Sequence, residues 1–457
     1  MGDITDLLVD VVGAGHVMIG DAISPDYTHD EALTAAPVIP LAVIRPGSTA
    51  EVATVLRLAQ EHRVPVVARG SGTGLSGAAI PNSDSLLVSF ERMNRILEID
   101  IDNHVAVVQP GVTLEGLDRA TAEFGLVYPV FPGESSASLG GNVATNAGGM
   151  RAIKYGVTRH QVLGLEAVLA GGEIIRTGGK FVKCSTGYDL TQLIIGSEGT
   201  LALVTEAILK LYPRLDHAAT ILAPFARLDD LATAVPRIVQ SGVGPRILEY
   251  LDSLTMASIS ANVGLDLGVP AGVRERSLAY LVVVLESAHE DRLNDDVSIL
   301  GELLAELGAI DVYVLPPQAA RQLIEAREKA FFVAKAAGAD DIVDVVVPRA
   351  AIARYLADVA SLAQEHGALI VGCGHLGDGN VHLSVFQPDP ERRHQVLRAL
   401  LGAGLDLGGA ITGEHGLGTE KKKYFMELED PTKLDLMRRI KAAFDPQGIL
   451  GPGRIFD

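Results

Sequence analysis

One stretch restricts the fold more than any other: Arg69-Gly-Ser-Gly-Thr-Gly74, continuing to Gly77. It follows Pro65-Val-Val-Ala68, an apolar run that reads as a buried strand, and its Gly72-x-Gly74-x-x-Gly77 spacing matches a dinucleotide fingerprint. A Rossmann unit needs a helix to start inside that loop, so that the helix N-terminus faces the pyrophosphate. Here the loop runs into Pro81-Asn-Ser-Asp84 and then into another strand-like run, Ser85–Phe90. The Rossmann reading fails on that missing helix. What survives is the chemistry of consecutive small residues, whose backbone N–H groups can converge on a phosphate with no Cβ in the way.

Two further segments of this kind follow. One runs from Pro132-Gly133-Glu134 through Ser138-Leu-Gly-Gly-Asn142 to Asn146-Ala-Gly-Gly149, and the other is Gly196-Ser-Glu-Gly-Thr200. A single loop of this sort is an ordinary set of tight turns. Three in one half of a chain make ordinary turns the weaker reading. Around them, residues 1 to about 36 read as short helical turns, and Ser48-Thr-Ala-Glu51 is a capping-box signal for a helix to about His62. Between Gly133 and Gly149 there is little room for regular structure. Leu163–Leu169 and Glu173–Arg176 read as a hairpin across Ala170-Gly-Gly172.

After Pro213 glycine thins. Helical patterns at Leu228–Gln240, Asp291–Leu307, Pro317–Ala336 and Ala350–Glu365 alternate with strand-length runs at Ala279–Leu285, Asp311–Leu315, Ile342–Val347 and Leu369–Gly372. This is the pattern of an α+β unit with a mostly antiparallel sheet. The 457 residues are 48% hydrophobic and 21% charged, enough for a sizeable core. The formal charge of −19 argues against nucleic acid and anionic lipid as partners, so an anionic substrate needs a local basic pocket. Two cysteines, Cys184 and Cys373, exclude a disulfide framework and a four-cysteine zinc site. With an acidic N-terminus and no apolar run long enough to span a bilayer, the expectation is a cytoplasmic setting without a membrane span.

His375-Leu-Gly-Asp-Gly-Asn-Val-His382 sets two histidines seven positions apart, on opposite faces of any continuous strand. The central Gly377-Asp-Gly-Asn380 is a strong turn signal, and a chain reversal there would bring the imidazoles side by side. Gly413-Glu-His-Gly416 offers a carboxylate as third ligand. Such a mixed set suits a catalytic divalent metal with open positions. On spacing alone, the same residues read more readily as surface histidines near turns.

Taken together, these motifs resemble the vanillyl-alcohol oxidase / p-cresol methylhydroxylase superfamily. Within it the chain looks most similar to the group of glycolate oxidase D-subunits, D-lactate dehydrogenases and D-2-hydroxyglutarate dehydrogenases. The resemblance runs from about Pro40 to Gly453. It implies an α+β protein: a two-subdomain FAD-binding domain of the p-cresol methylhydroxylase type at 37–215, after an N-terminal segment 1–36. A cap domain with a mostly antiparallel sheet would follow at 216–410, and a segment 411–457 would return to the FAD domain.

The resemblance also assigns roles. Arg69, Gly70, Ser71, Gly72, Thr73 and Gly74 would hold the FAD pyrophosphate. Pro132, Gly133, Ser138, Gly140, Gly141, Asn142, Thr145, Gly148 and Gly149 would line the flavin and ribityl path, with Gly156, Glu198 and Gly199 completing it. Thr73 stands where some relatives carry a flavin-linking His, which implies non-covalent FAD. HxGDGNxH and GEHGxGxxK (Gly413 to Lys421) imply metal ligands His375, His382 and Glu414, with Zn favoured over Mn or Fe.

His415 would be the general base and Asn380 a substrate contact. Arg327 matches the residue that binds the substrate carboxylate, although a helical Arg in isolation is an ordinary surface residue. In the hydroxyglutarate enzymes a Thr and a Lys after that Arg grip the distal carboxylate. Here Phe331 and Ile342 take those places, with Lys335 as a substitute partner. The implied reaction is oxidation of a small or aliphatic D-2-hydroxy acid, of the D-lactate or glycolate type, to the 2-oxo acid. D-2-hydroxyglutarate oxidation and a non-redox alkyl-dihydroxyacetone-phosphate synthase-like transfer are the alternatives. The expected partners are that substrate, an unspecified electron acceptor and a second copy in a homodimer.

Overall fold

The computed structural model describes residues 2–456. The N-terminal segment is not a set of short turns throughout: Gly2–Val12 forms one 11-residue helix. Its apolar positions Ile4, Leu8 and Val12 pack on Val52, Val55, Leu56 and Ala59 of the helix Thr49–His62. Tertiary packing of that stripe extends what local signals leave short. The helix Thr49–His62 begins as its sequence predicts, with Ser48 Oγ accepting from Glu51 N at 3.3 Å. It connects Ala42–Ile44 to Val66–Arg69, and both strands pair in parallel with Leu86–Ser89 between them.

A second, five-stranded sheet is antiparallel throughout, in the order Ile96–Asp100, Val105–Val108, Leu203–Lys210, Val162–Val168, Ile174–Gly178. Between these sheets lies the element that the glycine content hides, a helix over Leu139–Thr145 capped by Ser138. Glycine costs a helix roughly 1 kcal/mol per residue. A Cβ at Gly140, however, would sit 3.0 Å from the Pro110 carbonyl oxygen and backbone Cα. Close approach outweighs propensity here, which corrects the expectation of irregular chain from Gly133 to Gly149.

The second half builds a seven-stranded antiparallel sheet. Its order is Tyr313–Val314, His217–Phe225, Ala279–Ser287, Ile247–Asp252, Leu369–His375, Asn380–Phe386, Asp341–Val346. One face buries Ile221, Ala223, Phe225, Leu281, Val283, Val343, Val345 and Val381 beneath four long helices. The opposite face carries Leu222, Leu251, Tyr280 and Val282 against Ser253–Val263 and Pro317–Glu328. The sequence reading had no strand at His217–Phe225, Ile247–Asp252 or Asn380–Phe386. Pro224 and the buried Glu249 interrupt the apolar signal of the first two. The predicted helix Pro317–Ala336 is two helices, Pro317–Glu328 and Ala330–Ala336, broken at Lys329.

The chain then returns. Thr412 bridges to Asp344, and the loop that follows wedges between the halves. Glu198 accepts from Leu417 N at 2.7 Å and Gly418 N at 2.8 Å. Leu450 finally pairs in parallel with Val66 at the edge of the first sheet.

Candidate active site at the meeting of two cavities

The first cavity is a groove across the N-terminal half. Arg69 to Gly74, Pro132, Ser138, Gly140, Gly141, Asn142, Thr145, Glu198 and Gly199 all line it. Small residues that the sequence reading passed over complete the wall, among them Ala68, Ala78, Ala144, Ser197 and Ala202. Ser138 Oγ accepts from Ser71 N at 3.2 Å and Gly141 N at 3.3 Å, so the loop and the helix cap share one hydroxyl. The groove fits an extended phosphate-bearing cofactor. It is floored by glycines, and Asn142 Nδ2 is a buried donor on its wall with no protein partner.

Other assignments move. The Arg69 guanidinium donates to His29 O at 2.6 Å, lies 6.0 Å from the Tyr27 ring centroid and packs against Gly72 of the groove wall. The Glu198 carboxylate is occupied by the 417–418 backbone. Gly133 lines the neighbouring chamber. Gly148, Gly149 and Gly156 lie off the groove wall. A Cβ at Gly148 would come 2.6 Å from Glu414 Oε2, and one at Gly149 would strike the Phe131 carbonyl; at Gly156 it would meet the His160 ring. Their smallness serves packing.

The second cavity is a chamber of about 450 Å³ between the cap sheet and the helices Ser253–Val263 and Ala330–Ala336. Leu75, Pro132, Glu414 and His415 belong to both cavities, so the groove and the chamber meet at the Glu414-His415 pair.

At that junction the predicted hairpin forms. His382 is registered against Cys373 in the antiparallel pair Leu369–His375 and Asn380–Phe386. His375 and His382 therefore share a face, with ring centroids 4.8 Å apart. Glu414 Oε1 lies 3.1 Å from His375 Nε2 and 3.3 Å from His382 Nε2. His415 stacks on His382 at 5.1 Å.

Two residues that motif reasoning missed organise the group. Glu249, fully buried, places Oε1 2.5 Å from His375 Nδ1 and Oε2 2.8 Å from Arg327 Nε. Asp344, also fully buried, accepts from the backbone N–H of Glu414 at 3.1 Å and of His415 at 2.9 Å. It also accepts from Thr412 Oγ1 at 2.7 Å and Asn380 Nδ2 at 2.6 Å. Its oxygens lie 3.6 Å from His382 Nδ1 and 3.7 Å from His415 Nδ1. The only sequence signal for either was a charged residue inside an otherwise apolar strand.

Two of the expected substrate contacts have protein partners of their own. Asn380 is buried and spends its amide on Asp344 and Val345 O, away from the chamber wall. Lys335 directs its ammonium to Glu31 at 2.7 Å and does not line the chamber. Arg327 does line it, with Nη2 buried and without a partner.

The electrostatics follow from burial. Burial opposes charge on Glu414, but His375 and His382 overcome it and hold the carboxyl far below its ordinary range. Burial likewise opposes charge on His375, and Glu249 with Glu414 outweigh it, raising that imidazole well above 6.5. Glu414 beside His375 and His382, with the buried Glu249 and Asp344 behind their Nδ1 atoms, thus concentrates negative potential where a cation would sit. His415 differs. Burial, assisted by Lys421 and His382 and opposed by Asp344, pushes it down to about 4. Its ring is neutral at physiological pH and able to accept a proton.

Two family models match the chain: "FAD binding domain" over residues 40–178 and "FAD linked oxidases, C-terminal domain" over 214–455. A phosphate-suited groove joined to a chamber rich in histidine and carboxylate, together with these two matches, makes this an FAD-dependent oxidoreductase. The chain belongs to the FAD-linked oxidases, in the family that includes glycolate oxidases and D-lactate and D-2-hydroxyglutarate dehydrogenases.

An uncharacterised FAD-linked oxidoreductase of Mycobacterium tuberculosis is 57% identical over 456 residues, covering 100% of this chain and 99% of its own. The D-lactate dehydrogenase of Archaeoglobus fulgidus is 38% identical over 415 residues, 90% of each chain. A glycolate oxidase subunit of Bacillus subtilis is 38% identical over 462 residues, 99% of this chain and 97% of its own. The fold is that of p-cresol methylhydroxylase, with a TM-score of 0.83 at 19% identity over 100% of this chain and 97% of the other. Among the described residues no helix is long and apolar enough to cross a membrane.

Proposed function

We propose that this FAD-dependent oxidoreductase oxidises a D-2-hydroxy acid lacking a second carboxylate to the 2-oxo acid, using non-covalent FAD and a divalent cation. The observation that carries the reading is that Glu414 and His415, neighbours in sequence, form the wall shared by the cofactor groove and the chamber. The relatives named as D-lactate dehydrogenase and glycolate oxidase supply the substrate class.

Arg327 offers Nη2 to the substrate carboxylate, and Glu249 fixes its guanidinium from behind. His375, His382 and Glu414 would hold the cation, with zinc as the first candidate and Mn or Fe next. The Glu249–His375 contact sets the tautomer that leaves Nε2 free, as carboxylates behind metal-binding histidines commonly do. His415, neutral and beside Glu414, accepts the hydroxyl proton. Asp344 positions His415 through its backbone N–H and keeps Nδ1 facing a carboxylate. When bound, FAD supplies the hydride acceptor and the cation supplies Lewis acidity at the hydroxyl. Thr73 on the groove wall offers no covalent attachment, consistent with non-covalent FAD.

The test is anaerobic mixing of the flavin-loaded protein with D- and L-2-hydroxy acids while flavin absorbance is followed, before and after chelation. Bleaching by the D-acids that chelation abolishes is the expected result. A yellow protein that no hydroxy acid bleaches would overturn the reading in favour of non-redox transfer.

A further inference from the structure

The chamber continues well beyond the groups that hold the reacting end of a 2-hydroxy acid. Three cap strands form its floor, and their register fixes what lies at each distance. The first rung is Asp344–His382–Cys373, at the reacting end. The next is Ile342–Ser384–Val371, and the one after pairs Phe386 with Leu369. Alternate residues face the same side, so Cys373, Val371 and Leu369 step outward along one wall over about 13 Å. The opposite wall is Ile259 and Leu254 with Phe331 and Ala334. Leu254 and Leu369 are 55% and 53% exposed, which gives the chamber an apolar mouth open to solvent.

Charge sharpens the point. Apart from Arg327, Cys373 and the histidine–carboxylate group at the reacting end, the one ionisable side chain on this wall among the described residues is Glu328, an acid. Lys335 is held by Glu31, and the other polar groups on the wall are the hydroxyls of Thr255, Ser258 and Ser384. A distal carboxylate would meet no cation on the outer wall itself, Lys335 standing 5.8 Å from the Phe331 ring centroid and paired with Glu31, and burying it unpaired is costly. A methyl group such as lactate's would reach only the first apolar rung and leave the second unfilled.

From this register we infer that the natural substrate carries an extended hydrocarbon tail: a 2-hydroxy acid of medium or long chain, its carboxylate at Arg327 and its tail running past Ile342 and Val371 toward Leu369 and Phe386. The inference rests on the hydroxy-acid reading above and deepens it.

A chain-length series tests it. The flavin-loaded protein is mixed anaerobically with D-lactate, D-2-hydroxybutyrate, D-2-hydroxyhexanoate, D-2-hydroxyoctanoate and D-2-hydroxyglutarate, and the apparent Kd for flavin reduction is measured. Each buried methylene adds about 0.8 kcal/mol, so affinity should rise two- to four-fold per methylene through the series. Hydroxyglutarate should bind more weakly than hydroxyhexanoate. L369D and L254D, both at exposed positions, should flatten the dependence on chain length.

Reduction by lactate with a flat or falling trend would overturn the inference and leave the hydroxy-acid reading standing. So would an unchanged slope in both variants. Absence of reduction by every acid would remove both.

Discussion

Glu249 stands 2.5 Å behind His375, carboxylate oxygen to Nδ1, with no solvent exposure. Its second oxygen faces Arg327, so a single buried charge orients both a proposed cation ligand and the proposed substrate anchor. Glu249→Gln should lower metal affinity roughly 10- to 100-fold, the range typical for removing a partner behind a metal-binding histidine. Retention of metal against a graded chelator, with flavin content as the control for folding, measures this. Unchanged retention would show that the contact has no bearing on metal binding.

His415→Asn keeps a polar side chain of similar reach and removes the base. The rate of flavin reduction should fall by about 10² to 10⁴, while FAD and metal contents stay at the wild-type level. Arg327→Met, by contrast, should weaken substrate binding as well as slow reduction, because it removes the anion's partner. Single-turnover kinetics separate the two. Equal effects of both variants on Kd alone would exclude the assigned roles.

At Gly140 a methyl group has nowhere to go. Its Cβ would press on backbone atoms of Pro110 at 3.0 Å, inside the cofactor groove. Gly140→Ala should cost about 1–3 kcal/mol and reduce the flavin content of the purified protein. Full flavin occupancy and an unchanged melting temperature would contradict the close-approach argument.

Glu328 is half-buried beside Arg327, and burial pushes its carboxyl up to about 7 against an ordinary 4.5; Arg151 and Arg327 pull the other way, and Glu325 and Glu134 add to the rise. Its folded-state pKa is raised, so the folded protein binds this proton more tightly than the unfolded chain. This group favours folding at low pH, and its contribution falls as pH climbs from 4.5 to 7. At 1.36 kcal/mol per pKa unit, the full shift would be worth about 3 kcal/mol, and solvent screening of this half-buried group lowers the expected gain of Glu328→Gln to about 1–2 kcal/mol at pH 8, falling toward nothing below pH 4.5. Melting curves of both proteins across that range provide the check, expected to diverge by a few degrees above pH 7. Parallel curves would rule the effect out.

The sequence alone determined the glycine cradle and the chain reversal that sets His375 beside His382. Glycines at 70, 72 and 74 are legible because only small residues allow backbone donors to converge. The Gly377–Asn380 turn between two histidines is legible because a reversal there has one geometric consequence. Local chemistry of that kind survives translation from sequence to structure, whereas burial does not. Only the tertiary structure showed that Asp344 and Glu249, unremarkable acids in apolar strands, sit at zero exposure behind the histidines. Only it showed that Lys335 and Asn380 turn to other partners, and that Gly140 is helical. Each of these depends on which segments pack together, across separations that run from tens of residues for Asn380–Asp344 to hundreds for Lys335–Glu31. No window along the chain contains that information.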